Sequence, residues 1–239
     1  MGILTEDIHS KIDEIFPLSL TGKRLPVSDI RYRMQYFSET LNASANFRSG
    51  NKLRKRMFRA SVQENSDKRG ERKRKICFSG SYDFGTKIIL VTYLPPHGAL
   101  SVSFTAERLQ LFRFRLSQTI QHELVHHHQT IIAPSFVPYK KNLRKIPPAK
   151  KRRFLGWMKY LSDESEIAAW AHDIAMEIQF FYPNVLVDEV LGAPHKYKKI
   201  TSYRIYEKYF KAADWNEIRT KLHDTIRSWS ERPPAIPAR

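Results

Sequence analysis

The chain of 239 residues, with 41% hydrophobic and 12% aromatic content, can bury a full core, which excludes an intrinsically disordered polypeptide. Lysine and arginine total 41 against 24 aspartate and glutamate, a formal net charge of +17 that suits nucleic acid, an anionic surface or an acidic partner. A single cysteine, Cys77, excludes an intramolecular disulfide and any cysteine-rich zinc module, and fits a reducing compartment.

The opening stretch MGILTEDIHSKIDEIF is acidic where a signal peptide would be basic, and no run approaches the ~18 apolar residues of a membrane span. A soluble, unexported protein without a transmembrane segment is expected. Thr5, Glu6 and Asp7 open a short helix in which Ile8, Ile12, Ile15 and Phe16 recur at helical spacing before Pro17 ends it. From Ser28 to Phe47 two readings stand: Ile30, Tyr32, Met34 and Tyr36 alternate as in a strand, while Ser28 and Asp29 suit a helix cap.

Residues 50–75 contain NKLRKRMFRA and DKRGERKRK and read as a basic segment projecting from the body. Then KICFSGSYDFGTKIILVTYLPP offers strands over 76–79 and 86–94 around a turn, and ALSVSFT at 99–105 a third. A long helix over roughly 107–130 follows, stopped before Pro134. Residues 133–154, rich in proline, lysine and arginine, read as a basic connecting loop. Ser162 is expected to cap a helix that ends near Pro183, with two further helices near 199–211 and 214–230 and a flexible tail over 232–239. The predicted architecture is a single α+β domain over 1–231: a small mixed or antiparallel sheet, the long helix, then a helical C-terminal half.

Within the long helix stands QHELVHHHQT, residues 121–130. His122, Glu123, Leu124, Val125 and His126 make HExxH, and residues four apart share a helix face, so both imidazoles can reach one ion. Glu123, one step round the helix, can take a proton from an attacking water and deliver it to a leaving amine. On a helical wheel Leu109, Phe112, Leu116, Ile120 and Leu124 form one apolar side, and Leu111, Phe114 and Val125 a second that His122 and His126 border. A helix apolar on two sides is buried between layers. The wheel sets His127 on the main core side as a hydrogen-bonded histidine and His128 at the surface.

A catalytic zinc needs a third protein ligand. The next long helix, in YLSDESEIAAWAHDIA, offers Asp163, Glu164 and Glu166. The helix dipole accounts for acidic residues in a first turn, but it accounts less well for Glu166, where the buried stretch begins. Asp173 shares the Glu166 face and could orient a ligand imidazole, whereas His172 points away.

HExxH followed by a glutamate on a separate downstream helix resembles the gluzincin group of zinc metallopeptidases. More narrowly, LSQTIQHELVHHHQ, a basic loop and then YLSDESEIAAWAHDIA resemble metallopeptidases encoded by bacteriophages and large DNA viruses, over roughly residues 76–178. The resemblance implies a zincin-like fold and a Zn2+ ion held by His122, His126 and Glu166. It also implies Glu123 as general base, a peptide or protein substrate, and a location in the host cytoplasm or on a virion. Trp170 stands where a thermolysin-like chain carries an aspartate four residues after the third ligand. In a zincin an edge strand accepts the extended peptide, here ALSVSFT or TKIILVTYL. Tyr139, His195, Tyr203 and Tyr206 are candidates for an oxyanion donor. The second reading from the residues is a basic nucleic-acid-binding or virion-associated protein with a structural or vestigial metal, its basic clusters interspersed with Phe58 and Tyr139.

Overall fold

Ile30, Met34, Phe37 and Leu41 recur every three or four residues and are all buried, which settles the ambiguous stretch after Ser28 as a helix. The computed structural model describes residues 2–43, 58–63, 76–132, 150–210 and 212–231. They are mixed α+β, divided into two compact units, Met1–His127 and His128–Pro234.

In the first unit, helix α1 (Gly2–Ile15) is followed by strand β1 (Arg24–Pro26) and helix α2 (Val27–Ala43). Strands β2 (Phe58–Val62), β3 (Cys77–Asp83), β4 (Ile88–Leu94) and β5 (Ser101–Ser103) lead into α3 (Ala106–Ile132), whose residues up to His127 belong here. The main sheet has the order β2-β4-β3, with β2 parallel and β3 antiparallel to β4; β1 and β5 form a separate antiparallel pair. β4 therefore has neighbours on both sides, and among the described residues β2 and β3 are the edges.

Strand β2 lies inside the segment expected to project as a basic loop. Asn42 and Ser38 explain it: the Phe58 amide donates to Asn42 Oδ1 at 2.9 Å, and its carbonyl accepts from Ser38 Oγ at 2.7 Å and Asn42 Nδ2 at 2.9 Å. Phe58, expected among the exposed aromatics of a nucleic-acid surface, is only 3% exposed, because this clamp turns it into the core. The rest of the 50–75 segment lies outside the described residues. Phe112 is central to the unit's core, its ring 4.8 Å from Phe16, 5.0 Å from Phe78 and from Tyr93, and 5.3 Å from Phe104. Burying such a ring contributes about 2–3 kcal/mol.

The second unit carries the end of α3 and helices α4 (Lys150–Leu161), α5 (Glu164–Phe181), α6 (Val187–Gly192), α7 (Thr201–Tyr209) and α8 (Ala212–Ser230). The connecting-loop reading of 133–154 is corrected at its end, where α4 begins; residues 133–149 lie outside the described part, as does the 232–239 tail. The cap of α5 is Asp163 rather than Ser162: its carboxylate accepts from the Ser165 amide at 3.0 Å. Ile167, Ala171, Ile174 and Ile178 make the buried stripe of α5, packed in one cluster with Tyr203, Tyr206 and Phe210. Among the described residues no helix is long and apolar enough to cross a membrane.

Candidate metal centre

Helix α3 is buried on both predicted sides. Leu109, Phe112, Leu116 and Ile120 have no exposure, and Phe114 and Val125 on the second strip have 5% and 4%. His122, Glu123 and His126 are buried with them. The two imidazole rings stand 5.2 Å apart and nearly perpendicular, at 76°, while Phe84 packs its edge on His126 with centroids 6.2 Å apart. His127 is half-buried and shares a 3.0 Å hydrogen bond between its Nδ1 and the Tyr82 hydroxyl, and His128 is exposed, as the wheel requires.

The edge strand β3 lines this helix through alternate residues. Phe78 meets Phe112, Tyr82 meets His127, and Gly80 stands between them. A Cβ at Gly80 would fall 2.6 Å from Glu123 Oε1, 2.9 Å from Glu123 Cγ and 2.8 Å from Thr119 Cγ2. The glutamate side chain thus occupies the space that any other residue type at position 80 would fill.

Glu166 lies in the first turn of α5 and is 2% exposed. The start of that helix is tied to the last turns of α3, since Gln129 Nε2 donates to the Ser165 carbonyl at 3.3 Å. His122, His126 and Glu166 form a buried group whose ligand atoms all lie within 4.8 Å of one another, and this group could hold a metal ion. Its donor set suits one: two imidazole nitrogens and a carboxylate oxygen are ligands that divalent cations such as zinc take. Asp163 and Glu164 are not in the group, and the cap role accounts for Asp163. His172 is likewise outside it, its ring edge-on to Trp229 at 4.6 Å.

Of the candidate oxyanion donors, Tyr139 lies outside the described residues and His195 is exposed. Tyr203 shares a 2.8 Å hydrogen bond with His223, and burial pushes its hydroxyl up to about 12. Tyr206 differs. Its ring stacks on Phe210, its side chain is fully buried, and its hydroxyl has no hydrogen-bond partner among the described residues. Burial first, then the Glu166 and Asp173 carboxylates, push that hydroxyl well above the usual tyrosine range.

Comparison with protein-family models, with curated proteins and with solved structures returned no match. The residues themselves therefore carry the functional reading. Gly80 and Gln129 are absent from the sequence-derived site. The strand read over 76–79 in fact runs to Asp83, so Gly80, read as part of the turn, lies inside β3, where a lone glycine marks a close backbone approach. Gln129 had no signal beyond its position one turn after Val125 and His126.

Proposed function

We propose that the chain is a zinc-dependent metallopeptidase of zincin-like fold, hydrolysing peptide bonds, with His122, His126 and Glu166 as metal ligands and Glu123 as general base. The single observation that supports it most is the buried grouping of two imidazoles and one carboxylate, supplied by two helices, with Glu123 beside the first ligand. Two nitrogens and one carboxylate oxygen are a zinc donor set that leaves one position for water. When bound, zinc supplies a Lewis acid that polarises a carbonyl and lowers the pKa of water toward 7.

The chain's own residues supply the rest. Glu123, held against Gly80, accepts a proton from the attacking water and returns it to the departing amine. Strand β3, an edge among the described residues and the strand that lines the HExxH helix, is better suited to receive an extended peptide than TKIILVTYL, whose β4 is paired on both sides; ALSVSFT, in the two-stranded β1-β5 pair, is also an edge. Tyr206 is not assigned the oxyanion role, which needs a hydroxyl that reaches substrate.

The test is elemental analysis of tag-free protein purified without added metal, followed by cleavage of a random peptide library by wild type and Glu123→Gln. About one zinc per chain, with cleavage lost by at least ~100-fold in the variant, is expected. Full cleavage by a zinc-loaded Glu123→Gln protein overturns the assignment of the base. The basic nucleic-acid-binding reading retains the +17 charge but loses Phe58 as a stacking residue.

A further inference from the structure

Strand β3 presents Phe, Gly and Tyr in alternation to α3, and only the middle position lacks a side chain. Both aromatic neighbours pack on that helix, Phe78 on Phe112 and Tyr82 on His127. The missing side chain is therefore not explained by open space. All three atoms nearest to the position a Cβ would take belong to α3 side chains, two of them to Glu123. A contact of 2.6 Å to a carboxylate oxygen is well inside van der Waals separation, so an alanine there forces Glu123, Thr119 or the strand to shift. Glu123 is 3% exposed, which leaves its carboxylate few other rotamers.

We propose that Gly80 is a positioning residue for Glu123: the bare backbone of β3 at this position sets where the carboxylate sits beside the His122 and His126 face. This rests on the reading of Glu123 as the base, but its physical core, the steric coupling of positions 80 and 123, does not. Gly80 also explains why an edge strand tolerates a residue that weakens strands by its freedom and lack of packing: the site needs the absence of a Cβ more than the strand needs its presence.

The experiment has two arms. In the first, thermal unfolding of the metal-free protein is compared for Gly80→Ala, Glu123→Ala, Thr119→Ser and the double variants. Gly80→Ala is expected to lower Tm by roughly 2–10 °C, and most of that loss is expected to vanish in the Glu123→Ala background. An equal loss with and without Glu123, or a loss removed by Thr119→Ser alone, overturns the proposal and makes Gly80 a packing residue for Thr119.

In the second arm, acetohydroxamate, a small metal chelator that also hydrogen-bonds a neighbouring carboxylate, is titrated into zinc-loaded protein. Gly80→Ala is expected to weaken acetohydroxamate by about 10-fold, as Glu123→Gln does, with zinc affinity unchanged; an unchanged acetohydroxamate affinity overturns the positioning role. If the wild type takes up no zinc or Glu123→Gln binds the probe as wild type does, the peptidase reading fails. The unfolding cycle still decides the coupling of Gly80 to Glu123.

Discussion

Helix α5 buries two glutamates at opposite ends, and they are buried for different reasons. Glu177, fully buried near the C-terminal end, accepts from the Ser202 amide at 2.9 Å, Ser202 Oγ at 3.1 Å and Thr201 Oγ1 at 2.8 Å. It closes the first turn of α7, where amides lack intrahelical partners and a negative charge meets the positive end of the helix dipole. Glu166, in the first turn of α5, is grouped with two imidazoles, their ligand atoms all within 4.8 Å of one another. One carboxylate completes the fold, and the other belongs to a group that could hold a metal ion. Burial alone does not separate them; the chemistry of what surrounds each does.

The largest test of that contrast exchanges the two residues' fates. Glu166→Ala is expected to weaken zinc on the order of a hundredfold or more, read by competition with a chelator. Glu177→Ala is expected to do the reverse. It removes a charged acceptor from three donors, costs roughly 2–4 kcal/mol in urea unfolding, and leaves the zinc content of the folded fraction unchanged. Loss of zinc in both variants, or in neither, erases the distinction between the two carboxylates.

A smaller effect concerns two histidines held neutral, one in each unit. Burial, then the Arg113 guanidinium, lowers His9 to about 4; burial, then Arg227 and Arg219, lowers His223 to about 4 against the weaker pull of Asp224 and Asp188. The contacts agree, because Gln121 Nε2, a donor, stands 3.3 Å from His9 Nε2 and needs an unprotonated ring. Arg113 is itself paired with Asp13, so the cation beside His9 is partly offset. An unfolded histidine titrates near 6.5, so below that pH the unfolded chain binds more protons than the folded one. The contribution is fully present above about pH 6.5 and is lost as pH falls toward 4. Urea midpoints measured from pH 7 to 4 should decline, and His9→Gln should flatten part of that decline. A midpoint that rises on acidification contradicts the neutral assignment.

How far the sequence carried the site depends on how local each constraint is. HExxH on a two-sided apolar helix is written within one turn and its flanks, so the shared buried face of His122 and His126 and the placement of His127 and His128 were readable. Glu166 was readable because its helix begins the buried stretch there, and a surface first turn has no use for a buried glutamate. Strand β2 was not, since Phe58 becomes a strand residue through Asn42 and Ser38, which lie across a long charged segment. The start of α4 was hidden by the prolines that precede it. Of the two expected edge strands, TKIILVTYL proves central: strand order is a property of the sheet, and β2, the unexpected strand, takes the side of β4 that would otherwise have been open, while ALSVSFT is an edge of the β1-β5 pair.

The smallest expected effect, at Tyr206, tests whether a buried polar group near the carboxylates is there for the fold. Its hydroxyl has no hydrogen-bond partner among the described residues, and the ring already packs on Phe210 and Trp215. An unsatisfied hydroxyl in an apolar setting costs about 1–3 kcal/mol, and phenylalanine keeps the ring contacts while removing it. Tyr206→Phe is therefore expected to leave the metal-free protein unchanged or to stabilise it by about 1 kcal/mol in urea unfolding. A destabilisation of that size would mean the hydroxyl is satisfied and belongs with Glu177 among the groups that complete the fold. If stability is preserved and zinc affinity falls several-fold, Tyr206 belongs with Glu166: a donor whose cost to the apo fold is recovered when the carboxylates it faces are held by a cation.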